Sequence, residues 1–316
     1  MFGLIKALRS KGVLAINRRN AEYILKHNPR SLYPLVDDKL RTKQLALENG
    51  IAVPELYWVV EVEGQARALP RALRDRQDFV VKPAHGSGGE GILVIVGKAH
   101  DKYRKADGML LSQEELNHHI FGVLSGLYSL GGQPDKALVE YRVEFDPIFE
   151  PISHQGVPDI RIIVFLGIPV MSMVRLPTRM SDGKANLHQG AIGAGIDMAS
   201  GRTLTAVWRN DVVAEHPDTG NPVTGVEIPN WENLLTLAAR CYEFARLGYM
   251  GVDIVLDRNR GPLILELNAR PGLNIQIANN CGLLPRLDLV ENHHRDLLTV
   301  AQRVRFAREH FAAAIC

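Results

Sequence analysis

The chain has 316 residues, of which 46% are hydrophobic and 23% charged, and its formal net charge is +2. This ordinary globular composition excludes a disordered chain, and the near-neutral charge excludes a protein that binds nucleic acid through charge alone. The most apolar stretch is too short to span a membrane, and the three cysteines show neither zinc spacing nor a CxxC pair. We therefore predict a cytoplasmic protein with no nucleic-acid partner and no transmembrane segment, and its oligomeric state stays open.

The first 45 residues are strongly basic, with ten lysines and arginines against three acids. Residues 1–28 have a helical pattern that Pro29 and Pro34 interrupt. Such a segment is either a docking element for an anionic partner or membrane surface, or a helix with a solvated basic face. Asp37 or Asp38 is then placed to cap a helix that ends at Gly50.

Strands and helices alternate irregularly along the rest of the chain, which predicts an α+β fold and not a simple doubly wound sheet. Strands are predicted at 51–62, 79–83, 92–97 and 137–145, as a pair within 159–177 that turns at Gly167, and in a hairpin at 251–268. The clearest amphipathic helix follows Asn230, its predicted cap, and ends at Gly248.

A glycine-rich segment, GSGGEG at 86–91, lies between two of the predicted strands. It fits the spacing GxGxxG, but a dinucleotide-binding loop needs a helix after it, and the Walker A and protein-kinase patterns are absent. Successive glycines let backbone N–H groups approach an anion, so the segment is either a loop over phosphates or a plain glycine-rich turn. Lys82 on the preceding apolar strand favours the loop, because burying a lysine without an anion is costly.

Three basic residues stand out in the second half of the chain. Arg161 and Arg175 lie near the ends of apolar strands, where they either clamp phosphoryl or acyl oxygens or occupy ordinary edge positions. His188, in a polar glycine-rich stretch, is either a base or a hydrogen-bonding loop residue. The sequence leaves both pairs of alternatives open.

The segment 251–272 predicts a β-hairpin with a turn around Asn259 and Arg260. If the turn is centred between those two residues, Asp253 lies directly opposite Glu266, with Cβ atoms about 4.5–5.5 Å apart, and Asn268 shares their face. Facing carboxylates destabilise a sheet unless a cation compensates them, and a hard cation such as Mg²⁺ takes oxygen ligands. The three side chains therefore predict a metal site, and the alternative is a sheet with one polar face.

Together these segments resemble the ATP-grasp superfamily, and within it the ribosomal protein S6 glutamate ligase type and the alpha-L-glutamate ligase-like proteins. The matching segments span about residues 37–280 and are DDKLRTKQLALENGIAVPE, FVVKPAHGSGGEGI, LVEY, DIRIIVFLG, KANLHQGAIG and GVDIVLDRNRGPLILELNARPGL. The resemblance implies an α+β ATP-grasp fold in which two α+β lobes clasp ATP. It implies a basic helical N-terminal segment at 1–38, lobe 1 with the glycine-rich loop at 39–140, and lobe 2 with the metal site and C-terminal helices at 141–316.

The resemblance also implies roles for individual residues. Arg161 and Arg175 would steady phosphoryl and acyl-phosphate oxygens, and Asp253, Glu266 and Asn268 would bind two Mg²⁺ ions, with Mn²⁺ as an alternative. ATP would be held by Lys39, Lys82, Gly86, Ser87, Gly88, Gly89, Gly91, Glu140, Tyr141, Asp159, Lys184 and Asn186. Within that set, Lys39, Lys82 and the glycine-rich loop would contact phosphates, and Glu140 and Tyr141 would hold adenine.

Two features depart from the resembled family. About 38 residues precede Lys39, so we expect the full N-terminal domain that commonly comes before the ATP-grasp lobes to be missing. Because that domain commonly helps to bind the substrate, glutamate as the donor stays open. The segment 98–135 is long, and it is a candidate for a lid or for substrate contacts.

The implied activity is that of an ATP- and Mg²⁺-dependent ligase. A carboxylate attacks the γ-phosphate of ATP to give an acyl phosphate, and an amine then displaces phosphate to form an amide. The acid is open, glutamate or a similar amino acid being one candidate, and the amine acceptor is a small molecule, a peptide or a protein tail. Two alternatives remain, a nucleotide-binding regulatory or scaffold protein and a phosphotransferase on the same fold.

Overall fold

The structure is a computed structural model that describes residues 8, 10–86, 88–129, 131–209 and 211–313. Its contacts divide the chain into two compact units. Unit 1 contains the described residues up to Asp37, then Gln44–Ala52, and those from Phe145 onward; unit 2 contains Asp38–Lys43 and Val53–Glu144. No helix in the described part of the chain is both long and apolar enough to cross a membrane.

Unit 2 is built on a six-stranded antiparallel sheet with the strand order β1-β6-β2-β3-β4-β5. The strands are β1 (Leu56–Val60), β2 (Phe79–Pro83), β3 (Leu93–Ala99), β4 (Lys102–Lys105), β5 (Leu110–Leu111) and β6 (Ala137–Glu140). Two helices, Glu63–Ala72 and Gln113–Leu124, pack against the sheet. β6, the last of these strands in the sequence, lies between β1 and β2. The order of this sheet therefore depends on contacts between residues that are distant along the chain.

The long segment 98–135 is largely structural. It supplies β4, β5 and the helix Gln113–Leu124, which begins with a capping box between Ser112 and Glu115. Leu116, Ile120 and Val123 of that helix are fully buried in the core of unit 2. Burying side chains of this size stabilises a fold by roughly 1.5–3 kcal/mol each, so the segment belongs to the core.

Unit 1 is built on a seven-stranded antiparallel sheet with the strand order β11-β10-β9-β8-β7-β12-β13. The strands are β7 (Asp159–Phe165), β8 (Ile168–Leu176), β9 (Ile192–Ile196), β10 (Thr203–Trp208), β11 (Asp211–Val213), β12 (Tyr249–Asp257) and β13 (Gly261–Asn268). The longer helices after β11 are Trp231–Ala245, Leu284–His293 and Val300–His310, with the short helix Ile275–Ala278 before the last two. The predicted strand pair within 159–177 is confirmed as β7 and β8.

The basic N-terminal segment is part of unit 1. Its helix runs through Ile16–Arg18, the π-helical Arg19–Ile24 and Leu25–His27, followed by a 3-10 turn at Arg30–Leu32 and the helix Pro34–Asp37. Tyr23 is buried with its ring 5.4 Å from that of Phe165. The Asn28 amide donates to the backbone carbonyls of Tyr249 and Ala269 at 2.6 and 3.1 Å. These contacts make the segment a structural element of this unit, whatever else its exposed basic residues do.

The helix Lys39–Glu48 begins and ends as the sequence predicts. Asp38 Oδ1 accepts hydrogen bonds from the backbone N–H groups of Leu40 and Arg41 at 2.8 and 3.2 Å. Gly50 follows the helix with φ of +64°, the left-handed conformation that glycine adopts at low cost. The predicted N-terminal cap and C-terminal glycine are both confirmed.

The amphipathic helix Trp231–Ala245 corrects two details of the prediction. Asn230 precedes it in the left-handed conformation and makes no side-chain capping bond. The helix ends at Ala245, and Arg246 follows it in the left-handed conformation before Gly248 is reached. Asparagine tolerates the left-handed region, which explains why it occupies this position without using its side chain as a cap.

Two glycines of one hairpin show whether the backbone of the glycine-rich loop requires glycine. Gly91 has φ of +72°, and a Cβ there would lie 2.5 Å from Tyr128 Cγ, whereas Gly97 on β3 has open space around its Cβ position. We expect Gly91→Ala to lower the free energy of unfolding by about 1–3 kcal/mol and Gly97→Ala to change it by less than about 0.5 kcal/mol. Denaturant unfolding of both variants measures this, and equal effects would contradict it.

Candidate functional site

The glycine-rich segment forms the connection of an antiparallel hairpin. β2 pairs with β3 through Phe79, Val80 and Val81, so a strand follows the loop directly, as the sequence predicts. Gly88, Gly89 and Gly91 all have positive φ, and Ser87 lies outside the described residues. This loop is not a dinucleotide-binding turn, because it leads into a strand and not into a helix whose N-terminus would receive a pyrophosphate.

Lys39 lies at the base of this loop. Its backbone N–H donates to the carbonyl of Ala84 at 3.0 Å, and its Nζ donates to the carbonyl of Gly86. Two bonds from one residue therefore fix the first turn of the helix Lys39–Glu48 against the start of the loop. The structure thus brings together Lys39 and the glycines, which the resemblance places on ATP phosphates.

Lys82 and Glu140 form a buried charge cluster with Lys43, a residue for which the sequence predicted no role. Lys82 Nζ lies 2.5 Å from Glu140 Oε1, and Lys43 Nζ lies 2.9 Å from Oε2, with every one of these side chains at most 8% exposed. Lys43 Nζ also donates to the carbonyl of Pro54. A lysine in a polar helix is normally solvent-facing, so no pattern in the sequence marks Lys43 as buried.

Burial and pairing have opposite effects within this cluster. Burial lowers the pKa of Lys43 to about 8, and the charge of Glu140 acts in the opposite direction. For Glu140 burial is the largest influence and disfavours ionisation, yet Lys82 and Lys43 together hold its pKa below the ordinary value. Glu140 is therefore a carboxylate engaged by two ammonium groups. Tyr141, next to it, donates its backbone N–H to the backbone carbonyl of Glu55 at 2.8 Å.

In unit 1 the acidic hairpin has the predicted pairing. β12 and β13 are antiparallel, and Asp253 is directly opposite Glu266. The register shifts between Asp253 and Ile254, since Ile254 pairs with Ile264 and leaves Leu265 as an extra residue. This β-bulge turns the strand locally and is of the kind found beside functional sites.

Arginines from β7 and β8 neutralise the acids on this face. Arg161 pairs with Asp253 across β7 and β12, and donates from Nε to Asp253 Oδ1 at 2.7 Å and from Nη2 to Oδ2 at 2.5 Å. Arg175 pairs with Asp159 across β7 and β8, donates to both of its oxygens, and reaches Asp253 Oδ2 at 2.8 Å. Asp253 and Asp159 are 1% and 6% exposed, so four charges are satisfied almost entirely by one another.

The two buried aspartates differ in their ionisation. Burial raises the pKa of Asp159 to about 6, and the charge of Asp253 adds to this while Arg175 opposes it. Burial acts the same way on Asp253, but Arg161 and Arg175 outweigh it and hold the pKa of Asp253 below its ordinary value. Asp253 thus keeps its charge most firmly, because two guanidinium groups contact it.

Glu266 and Asn268 are the more accessible members of the predicted metal set. The Glu266 side chain is 34% exposed. The Asn268 amide nitrogen donates to Asp253 Oδ2 at 3.3 Å and to Glu266 Oε1 at 3.1 Å, so its amide oxygen is directed away from both carboxylates. Oxygen donors of this kind fit Mg²⁺. Among the residues the structure describes, no group of three or more histidines, cysteines, aspartates and glutamates could hold a metal, so a metal here would need Asn268 to turn its amide oxygen toward the carboxylates.

A small open pocket adjoins these arginines within unit 1. It is lined by Arg161, Met173, Arg175, Asn186, Leu187, His188, Gly272 and Asn274. Asn186 Oδ1 accepts from the backbone N–H of His188 at 3.0 Å, which caps the short 3-10 turn Leu187–Gln189. His188 therefore faces the pocket as part of its lining, and Lys184, on the same connection, is absent from that lining.

The fold and these sites define an ATP-grasp protein of the α+β class. Residues 18–292 match the family described as sugar-transfer associated ATP-grasp, and the chain belongs to that family. The predicted ATP-grasp fold is confirmed. The glutamate-ligase subgroup stays a prediction, since the matching family is a different one by description.

A comparison with solved structures found similar chains. A biotin carboxylase–βγ-ATP complex from Campylobacter jejuni matches with a TM-score of 0.50 and 15% identity, over 82% of this chain and 47% of that one. The ATP-grasp ligase PsnB complexed with its minimal precursor matches with a TM-score of 0.48 and 13% identity, over 85% of this chain and 63% of that one. This chain therefore spans less than two thirds of either structure, and identities this low bear on the fold alone. A comparison with curated proteins found no match.

The shared carboxylate of Glu140 offers a matched pair of variants. Lys82→Met and Lys43→Met each leave Glu140 with one ammonium partner, so we expect similar losses of unfolding free energy, on the order of 1–3 kcal/mol. If Lys82 contacts ATP, only Lys82→Met weakens ATP binding, by about tenfold or more. Calorimetric titration with ATP and Mg²⁺ measures the affinities, and equal weakening in both variants would refute the assigned role of Lys82.

His216 makes the free energy of unfolding sensitive to acid. This buried ring contacts the carbonyl of Pro177 through Nε2 at 3.0 Å and accepts the backbone N–H of Asp218 at Nδ1, so it is neutral. Burial lowers its pKa, with Asp218 opposing and His154 reinforcing this. The unfolded chain then takes up a proton more readily, so stability is present above about pH 6.5 and falls below it, by at most about 1.4 kcal/mol per pH unit.

We expect His216→Gln to reduce this slope of unfolding free energy against pH. The exposed His118, changed to Gln, is the control and should leave the slope as it is. Denaturant unfolding between about pH 5 and 8 measures both. An unchanged slope in His216→Gln would mean that the ring is not neutral in the folded state.

Proposed function

We propose that this protein is an ATP- and Mg²⁺-dependent ligase that joins a carboxylate to an amine through an acyl phosphate. The observation that carries the proposal is the array on the sheet of unit 1, where Asp253, Glu266 and Asn268 lie together. Arg161 and Arg175 lie behind these oxygen donors and also line the adjoining pocket. Oxygen donors for a cation beside guanidinium groups for an anion are what transfer of a phosphoryl group requires.

Unit 2 would supply phosphate-binding groups. The Gly88, Gly89 and Gly91 backbone would approach the phosphates, with Lys39 at the base of the loop and Lys82 on the strand before it. To reach a phosphate, Lys82 would exchange its contact with Glu140, and Lys43 would keep that carboxylate paired. Glu140 and Tyr141 are proposed at adenine on the resemblance alone.

Unit 1 would supply the residues that bind the metal ion and the acyl phosphate. Glu266 would hold Mg²⁺ directly, and Asn268 would join it by turning its amide oxygen toward the carboxylates. Asp253 would join them only by releasing an arginine contact. Mg²⁺, when bound, neutralises phosphate charge during the transfer. Arg161 uses part of its five-donor guanidinium on Asp253, and the remainder can hold the acid substrate or its acyl-phosphate oxygens in the pocket. Asp159, tied to Arg175, would orient that arginine, and Lys184 and Asn186 would contact the nucleotide.

The side chains of the pocket indicate the class of substrate. A pocket with two arginines selects a carboxylate, and the attacking amine must be uncharged to displace phosphate. The family description, which associates it with sugar transfer, favours testing amino sugars and sugar acids together with glutamate and other amino acids.

The first test is thermal stability with ATP and Mg²⁺, separately and together. A ligand at 100 times its Kd stabilises the folded state by about 2.7 kcal/mol, which is a readily measured shift in melting temperature. We expect a shift that needs both components in the native protein and in the control Glu309→Ala, an exposed glutamate on the helix Val300–His310, but not in Glu266→Ala. A shift that ignores Mg²⁺ or survives in Glu266→Ala would overturn the metal assignment.

Product analysis then separates the activities. An acid and amine panel should release ADP and free phosphate only when both substrates are present. Phosphate retained on one substrate would identify a phosphotransferase. Nucleotide binding without turnover across the panel would favour a regulatory or scaffold protein.

A further inference from the structure

His85 lies directly before Gly86 and is held by a buried carboxylate. Its Nδ1 is 2.7 Å from Asp135 Oδ1, and its backbone N–H donates to Asp135 Oδ2 at 2.9 Å. The side chain of Asp135 is 0% exposed, whereas that of His85 is 42% exposed. One residue of the loop connection therefore has both its backbone and its ring fixed by a single carboxylate.

Asp135 also joins this residue to the sheet of unit 2. Its Oδ1 accepts the backbone N–H of Lys136 at 2.7 Å, and the Lys136 carbonyl accepts the N–H of Ala84 at 3.0 Å. Because Lys136 immediately precedes β6, Asp135 connects the imidazole to the start of an interior strand of the sheet. An imidazole held in this way cannot rotate about its ring bond without breaking a partly buried hydrogen bond.

The held ring presents one defined nitrogen. An ionised carboxylate can only accept, so Nδ1 is the donor, and Nε2 is the nitrogen on the opposite, exposed edge. The nearest carboxylate to Nε2 is Asp38, whose Oδ2 is 3.8 Å away, which is beyond hydrogen-bond length. Oδ1 of Asp38 is already used as the helix cap.

The position of this nitrogen suits an anion. His85 adjoins Gly86, whose carbonyl accepts from Lys39 Nζ, so a lysine and an imidazole both lie at the start of the same glycine-rich loop. A ring that donates from both nitrogens is an imidazolium, so a phosphate at Nε2 would meet a charged donor whose other N–H is bonded to Asp135. A charged N–H donor that is held in place by a second hydrogen bond binds phosphate oxygen more strongly than a mobile surface lysine does.

We propose that His85 is a further nucleotide-contacting residue, whose Nε2–H donates to a β- or γ-phosphate oxygen of a nucleoside triphosphate, and that Asp135 is its positioning residue. This rests on the proposed function, because it needs a nucleotide at the glycine-rich loop. It goes beyond that function by assigning a phosphate contact to a side chain that the resemblance does not include.

Two isosteric variants separate the contact from the tie to Asp135. His85→Asn keeps an amide donor near the place of Nδ1 and removes Nε2, whereas His85→Gln keeps a donor near Nε2 and loses the short bond to Asp135. We expect His85→Asn to melt like the native protein but to bind ATP with Mg²⁺ about tenfold more weakly. We expect His85→Gln to retain more of the affinity and to melt at a lower temperature.

Calorimetric titration with ATP, ADP and AMP measures the contact. The loss in His85→Asn should shrink from ATP to AMP, because AMP lacks the phosphates concerned, and the exposed His118→Asn should match the native protein throughout. Native affinity for ATP in His85→Asn would overturn the inference and leave His85 as a structural tie. An equal loss for all three nucleotides would do the same. Absence of ATP binding by the native protein would instead overturn the proposed function itself.

Discussion

The alternation of charge across three neighbouring strands of unit 1 is the constraint on which the site depends. Arg175, Asp159, Arg161 and Asp253 lie on neighbouring strands, and each is paired with a partner of opposite sign. Isolated buried charges cost several kcal/mol each, and a pair offsets that cost only when its geometry is good. A slip of one residue in any strand would turn these side chains to the other face and leave charges unpaired. The register of β8, β7 and β12 is therefore tied to the positions of the functional groups.

The charge clusters of the two units are opposite in sign, which gives each unit its own ligand preference. In unit 2, two buried lysines share the single carboxylate of Glu140, so the cluster has an excess positive charge. In unit 1, Asp159, Asp253 and Glu266 face Arg161 and Arg175, so the cluster has an excess negative charge. An excess of positive charge favours a phosphate and an excess of negative charge favours a metal ion.

The acidic hairpin shows how far a pattern leads. Alternation and a polar turn were enough to place Asp253 opposite Glu266, and the structure has that pair. The actual turn is centred on Asn259, with Asp257 opposite Gly261, and the bulge at Leu265 restores the predicted pairing further along. The prediction was right for the pair and wrong for the path, because strand periodicity constrains which side chains share a face but does not reveal an extra residue. The helix cap at Asp38 was equally local and equally predictable.

By itself, the sequence determined local features of this protein: the strands with a clear apolar pattern, the hairpin glycines, the acid pair and the order of motifs that identifies an ATP-grasp chain. Each depends on neighbouring residues, whose spacing the backbone geometry converts directly into a shared face or a turn. Only the tertiary structure decided the partners. Lys43 joins Lys82 at Glu140, Arg161 and Arg175 engage the aspartates, and Asp135 holds His85, which lies 50 residues away along the chain. These pairs arise where separate strands and helices pack, so their members lie far apart along the chain and no local pattern records them.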